Sequence, residues 1–362
     1  MRWFSIVAVG VLALLVWSSS GRSQAPAERL RAVLGSAIRR LPSIEPRVSV
    51  VNDPLVPDRP ARLIGKRDGA FAGVSAQKGS MLDTLLPTEQ DRRRKSPEAR
   101  GGIDPCNSPD PGFGIYEKWR WGGGAGKLLV PTGALNGAAT ADALFHFAGY
   151  ELARKEVARS EAPLVFLGVA FGSGGLNYRE NLSGPLGLHF LQKAVSASLE
   201  RVQGAPSELG HVGLAAWSAG YDAVRLVLQQ SKNADEVDAV VLLDGLHASR
   251  DDASAMAQLS PFTRFAERAA RGQAFIFVSY SSVPTDGYAS THETSRRLIR
   301  ALGGEPLKVE RLDAGGLELK EMFSKGGFHA RGYRGGGELD HCAHLMLYPM
   351  VLEALTRYWH TH

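Results

Sequence analysis

Residues 211–228, HVGLAAWSAGYDAVRLVL, place one serine where it could act as a nucleophile. A short apolar run from His211 to Ala216 leads into Trp217-Ser218-Ala219-Gly220, and an amphipathic helical pattern starts at Tyr221. The order is strand, tight turn, helix, with Ser218 at the apex and the small residues Ala216 and Gly220 two positions either side. The spacing has a steric cause: a sharp strand-to-helix turn brings the −2 and +2 positions almost into contact, so both must be small. It also has a chemical use. The turn lifts the hydroxyl clear of the sheet and aims the free N–H groups of the next helix at the place where an oxyanion would form. A serine hydroxyl is a weak nucleophile alone, so a base must lie within reach and an acid must orient that base. A serine that merely caps a helix after a buried strand would carry the same residues without chemistry; the strand–turn–helix setting in mid-domain favours the nucleophile.

This segment resembles the nucleophile elbow of the α/β-hydrolase superfamily, with Ala216 in place of the more usual first glycine. The resemblance covers about residues 113–360 and implies a Ser-His-Asp triad in the chain order nucleophile, acid, histidine. It assigns the base to a loop just before the final helix, where the chain reads Gly335-Gly336-Gly337-Glu338-Leu339-Asp340-His341-Cys342-Ala343-His344. His341, at the mouth of that helix, is the preferred base, with His344, one turn further in, as the alternative. His329 is a remote third, and His146, His247 and His292 sit at or near other strand ends as candidate pocket residues. Two acids stay open. Asp244 ends the run Ala239-Val240-Val241-Leu242-Leu243 and is tied to the sheet, a place used by some pancreatic-lipase-like members. Asp286 follows the next strand, the commoner position, but falls in an Asp-Gly turn expected for its own sake. Asp244 is preferred narrowly.

For the oxyanion hole the resemblance implies two backbone donors, Ala219 and Tyr150; Tyr150 follows His146-Phe147-Ala148-Gly149, where many relatives have His-Gly. The rings of Trp217 and Tyr150 are either aromatic walls of a substrate pocket or core packing. The cluster Asp340, His341, Cys342 and His344 also admits a metal reading, but one short cluster offers too few ligands on one face, so neither a metal nor a cofactor is expected.

Positioning such residues needs a sheet. From Phe113 onward the pattern becomes regular: Ile115 to Trp121 and Lys127 to Val130 flank a glycine-rich turn and read as a hairpin. Strand-like runs follow at Ala143–Phe147, Leu164–Val169, Val212–Ala216, Ala239–Leu243, Phe275–Ser279 and Leu307–Leu312. Helical patterns lie between and after them at Glu151–Ser160, Leu188–Val202, Tyr221–Ser231, Ala253–Arg271, Ser290–Leu302 and Cys342–His360. An N-terminal antiparallel hairpin followed by alternating strands and helices predicts an α/β fold, a mostly parallel central sheet with helices on both faces. The Gly172–Pro185 stretch reads as a polar loop without an apolar lid, which disfavours long-chain lipids.

The chain has 362 residues, 44% hydrophobic and 22% charged, as expected of a globular protein. Residues 1–25, with an apolar run from Trp3 to Trp17, read as an export signal too short for a comfortable membrane span, with a retained anchor as the competitor. Residues 26–105 read as a flexible basic arm, with one short helix at Glu28–Leu41, and residues 106–362 as the catalytic domain. Residues 22–100 hold 16 Lys and Arg against 9 Asp and Glu, a balance of +7. Arg2 adds one, so the formal net charge of +5 leaves −3 for residues 101–362. The arm could make weak contact with anionic envelope polymers, although a solvated tether explains it as well. No aromatic-interleaved basic face argues for nucleic acid. In an oxidising compartment the only two cysteines, Cys106 and Cys342, are expected to form a disulfide.

These readings predict an exported serine hydrolase, periplasmic, secreted or envelope-associated, that cleaves a small-molecule or polymeric ester through an acyl-enzyme. A secreted peptidase or acyltransferase would use the same parts. A non-catalytic binding module on the same fold is the rival from another class.

Overall fold

The computed structural model describes residues 55, 96–132, 140–171, 175–204 and 206–362, all of them within one unit spanning 53–362. The export signal, the Glu28–Leu41 helix and most of the basic arm lie outside the described residues. The described residues contain twelve strands: β1 Arg120–Trp121, β2 Gly126–Leu129, β3 Thr140–Phe147, β4 Val165–Val169, β5 Glu208–Trp217, β6 Ala239–Leu243, β7 Ala248–Ser249, β8 Phe275–Tyr280, β9 Tyr288–Ala289, β10 Leu307–Asp313, β11 Leu317–Lys325 and β12 Phe328–Tyr333. Ten of them form one sheet in the order β1-β2-β4-β3-β5-β6-β8-β12-β11-β10. The six strands from β4 to β12 run parallel, and the hairpin at one end and β11–β10 at the other are antiparallel.

Strand periodicity of two divides the core. Phe145, Leu214, Val240 and Ile276 face one apolar cluster, closed by helices Gly187–Gln203, Tyr221–Gln229 and Asp252–Ala270. Leu144, Ala215, Val241 and Phe277 face the other, closed by helices Tyr150–Ser160 and Tyr348–Thr361. Because both faces are covered, β6 is buried at every position and reads as an unbroken apolar run.

Several elements differ from the sequence reading. The Gly172–Pro185 stretch contains a helix, Gly175–Leu182, held down by buried Tyr178 and Leu182 in the first core cluster. The antiparallel β11 and the parallel β12 were not expected. The C-terminal helix is broken into Glu338–Ala343, a 3-10 turn at His344–Leu347, and Tyr348–Thr361, so His341 lies inside a short helix and not at its mouth.

Residues 96–105, assigned by sequence to the flexible arm, pack against the domain. Arg100 is buried, pairs with buried Asp340 and donates to the Gly315 carbonyl at 2.5 Å. Asp340 also accepts from the N–H groups of Gly336 and Gly337, at 2.9 and 3.1 Å, and so pins the glycine-rich loop. Cys106 is bonded to Cys342 across 236 residues, with the Cα atoms 5.0 Å apart. A cross-link closing so long a loop stabilises by up to about 4–5 kcal/mol through the unfolded state. Cys106→Ser should therefore lower the midpoint of chemical unfolding. An unchanged midpoint in oxidised wild type and variant would show that the bond contributes nothing.

Candidate active site

The site gathers at the C-terminal edge of the parallel strands, where ligands bind in sheets of this kind. Ser218 follows the last residue of β5 and holds φ +54°, the left-handed region that an L-residue occupies only at a cost. What forces the turn is contact. A Cβ on Gly220 would overlap the Phe147 carbonyl oxygen, and one on Gly245 would come within 2.5 Å of the Ser218 carbonyl oxygen. Gly245 had no motif to announce it; it matters because β6 delivers Asp244 right beside the elbow. The helix Tyr221–Gln229 then departs from Ser218-Ala219-Gly220, leaving Ser218 half-buried and Ala219 exposed.

Asp244 is only 1% exposed and its oxygens are fully engaged. Oδ1 accepts from the Ser281 N–H at 2.9 Å and the Thr291 hydroxyl at 2.7 Å. Oδ2 accepts from the Ser281 hydroxyl at 2.9 Å and lies 2.8 Å from His341 Nδ1. A carboxylate can only accept, so Nδ1 of His341 carries the proton and Nε2 is left as the basic nitrogen of the neutral ring. Burial, the largest influence, opposes ionisation of Asp244. The charges of His344 and His341, with hydrogen bonds from His341 and Thr291, overcome it and hold the carboxyl below its usual range. Ser281 and Thr291 were missed by sequence reasoning, since nothing marks a serine or threonine as a carboxylate partner before the loops are placed.

The other histidine candidates have partners of their own. Asp286 is exposed in the loop leading to β9. His344 is fully buried with Nδ1 2.7 Å from the Ser279 hydroxyl, and its Nε2 is 4.0 Å from Asp244 Oδ2. His329 sits within β12, 3.0 Å from the Ser324 hydroxyl. His292 contacts Glu321 at 3.4 Å, and His247 packs edge-on against Tyr221 and Tyr288 beside the Ala289 carbonyl. The four side chains of the metal reading thus have four separate partners: Arg100 for Asp340, Asp244 for His341, Cys106 for Cys342 and Ser279 for His344.

The turn after β3 has two successive left-handed residues, Ala148 at φ +64° and Gly149 at +67°. His146 is fully buried below it, with Nε2 2.7 Å from the Ala148 carbonyl and Nδ1 2.5 Å from the Tyr348 hydroxyl. Since a carbonyl only accepts, Nε2–H donates to Ala148 and Tyr348 donates to Nδ1. The Ala148 N–H reaches the Tyr178 hydroxyl at 3.3 Å. Tyr150 opens the following helix, and its N–H and that of Ala219 have no acceptor among the described residues. The Tyr150 ring packs on Gly168 and edge-on to Trp119, 6.0 Å away.

Burial, the largest influence on each, pushes His146 down to about 3 and His344 down to about 4, from an ordinary value of 6.5. The unfolded chain therefore takes up protons on these rings near pH 6.5, well before the folded chain does. Stability is full above that pH and is lost as the pH falls toward 4 and then 3. The thermal midpoint should decline from about pH 6.5 downward, above the range where ordinary carboxylates titrate. A midpoint that stays flat from about pH 7 to 5 would contradict this.

Strand order, the left-handed serine turn and a histidine after the last parallel strand make this an α/β-hydrolase fold. No family model and no curated protein matches the chain. Among solved structures it is similar to a protein designated FAE, with 15% identity, 69% of this chain and 90% of that one covered, and a TM-score of 0.41. It is similar also to a serine-to-alanine mutant of the feruloyl esterase module from Clostridium thermocellum complexed with sinapinate, at 14% identity, 69% and 90% coverage and a TM-score of 0.39. A third is carboxyl esterase 2 from the mycorrhizal fungus Tuber melanosporum, at 13% identity, 70% and 87% coverage and a TM-score of 0.34.

Proposed function

We propose that this chain is an exported serine hydrolase that cleaves carboxylic esters through an acyl-enzyme. The observation that carries the reading is the 2.8 Å contact between His341 Nδ1 and the buried Asp244 carboxylate, at the sheet edge where Ser218 stands in its left-handed turn. Ser218 Oγ attacks the ester carbonyl while His341 Nε2 takes its proton, and Asp244 stabilises the imidazolium that forms. The N–H groups of Ala219 and Tyr150 receive the oxyanion. Collapse of the tetrahedral intermediate breaks the C–O bond, and His341 returns the proton to the leaving alcohol. Water, deprotonated by the same histidine, then releases the acid and frees Ser218. Export is supported by the Cys106–Cys342 bond, which persists in oxidising compartments, and by the N-terminal apolar run.

A fluorophosphonate probe should label the protein once, at Ser218, and the chain should turn over short acyl esters faster than the matching amides. Labelling without turnover of any ester would shift the reading to acyl transfer or amide cleavage. A chain that is not labelled at all is the inert binding module.

A further inference from the structure

Trp217 stands between every part of this site. It is the last residue of β5 and is bonded to Ser218. Across the sheet it pairs with Leu243, the residue before Asp244. Its indole N–H donates to the His341 carbonyl at 3.0 Å, and its ring stacks on the His341 imidazole with centroids 4.8 Å apart and planes 29° apart. On the oxyanion side, a Cβ on Gly149 would come within 2.6 Å of Trp217 Cε3, so the indole edge fills the space a side chain there would need. One side chain thus touches the base through both ring and backbone and abuts the turn before Tyr150, while its backbone is continuous with the nucleophile.

We propose that Trp217 is the positioning residue of this site and not a wall of the substrate pocket, a reading that rests on the proposed hydrolase mechanism. Two physical effects carry it. The N–H···O bond holds the His341 backbone and the stack holds its ring, in a helix of only six residues, Glu338–Ala343, that has little rigidity of its own. The face of the indole also attracts the imidazole more strongly once the ring holds the proton from Ser218, so the contact strengthens as the barrier is crossed.

Two variants separate the parts: Trp217→Phe keeps a ring face and loses the N–H donor, and Trp217→Leu loses both. The readouts are kcat and KM for an acetyl and an octanoyl ester, the thermal midpoint, and the low-field Nδ1 proton of His341 in protein with nitrogen-labelled histidine. For Trp217→Phe, kcat should fall about tenfold, and for Trp217→Leu about a hundredfold, with KM within about twofold for both esters. The Nδ1 proton signal, sharp in the parent, should broaden in step with kcat. A KM that rises with acyl length at constant kcat would make Trp217 a pocket wall and overturn the proposal. So would a lowered midpoint with kcat and the proton signal both unchanged. If the parent protein neither hydrolyses esters nor reacts with the fluorophosphonate, the hydrolase reading fails, and the proton signal alone still decides whether Trp217 holds His341.

Discussion

Replacing Ser218 with alanine should reduce ester hydrolysis by about 10⁴-fold or more while leaving the unfolding midpoint nearly where it was. The side chain is half-buried and small, and alanine is strained at φ +54° just as serine is, so folding has little reason to notice. Ser218→Gly is the sharper control. Glycine occupies the left-handed region without that strain, so this variant should be as inactive as Ser218→Ala yet at least as stable, by up to about 1 kcal/mol. Near-normal turnover in either variant would remove Ser218 from the mechanism. A large loss of stability in both would mean that the hydroxyl serves the fold.

The second large effect separates paired candidates. Asp244→Asn should lower kcat by about 10³–10⁴-fold, because an amide can present its NH₂ to His341 and favour the wrong tautomer. His341→Ala should do comparable damage. Asp286→Asn, at an exposed loop position, should leave kcat within about twofold. His344→Ala is harder on the fold than on the chemistry: it opens a buried space beside Tyr333 and leaves the Ser279 hydroxyl without the ring nitrogen, so its midpoint should fall more than its kcat. If Asp286→Asn proved the more damaging of the two acid variants, the role of Asp244 in the mechanism would have to be given up.

The parts of this molecule legible in its sequence are those where one local rule decides. The run from Ala239 to Leu243 reads as a buried strand because nothing polar interrupts it, and its strand-end aspartate could be named for the same reason. β12 escaped because Phe328-His329-Ala330-Arg331-Gly332-Tyr333 puts a histidine and an arginine at buried positions. Arg331 is accommodated there by Asp313, two strands away in β10 and 3.0 Å distant, whose carboxylate also accepts from Tyr333. The residues of β12 alone do not show that compensation. Likewise, the small residues around Ser218 announced a turn, but Gly245 and Gly149 owe their identity to atoms of Ser218 and Trp217, distant from them in sequence. Trp217 was legible as an aromatic beside the serine, and its partner His341 lies 124 residues away.

The tethers at the start of the domain carry a consequence for how the site comes into being. The elbow forms from neighbouring chain, but the short helix bearing His341 is anchored by Arg100 and Cys106, more than two hundred residues upstream. Its assembly is therefore a high-contact-order event that waits for both ends of the domain to meet. A fragment beginning after Asp110 would still possess Ser218, Asp244 and His341, and would lack both anchors. Activity in this molecule is thus expected to lag behind folding of the central strands, and a protease clipping between Asn107 and Phe113 would lower it only after the disulfide had also been reduced.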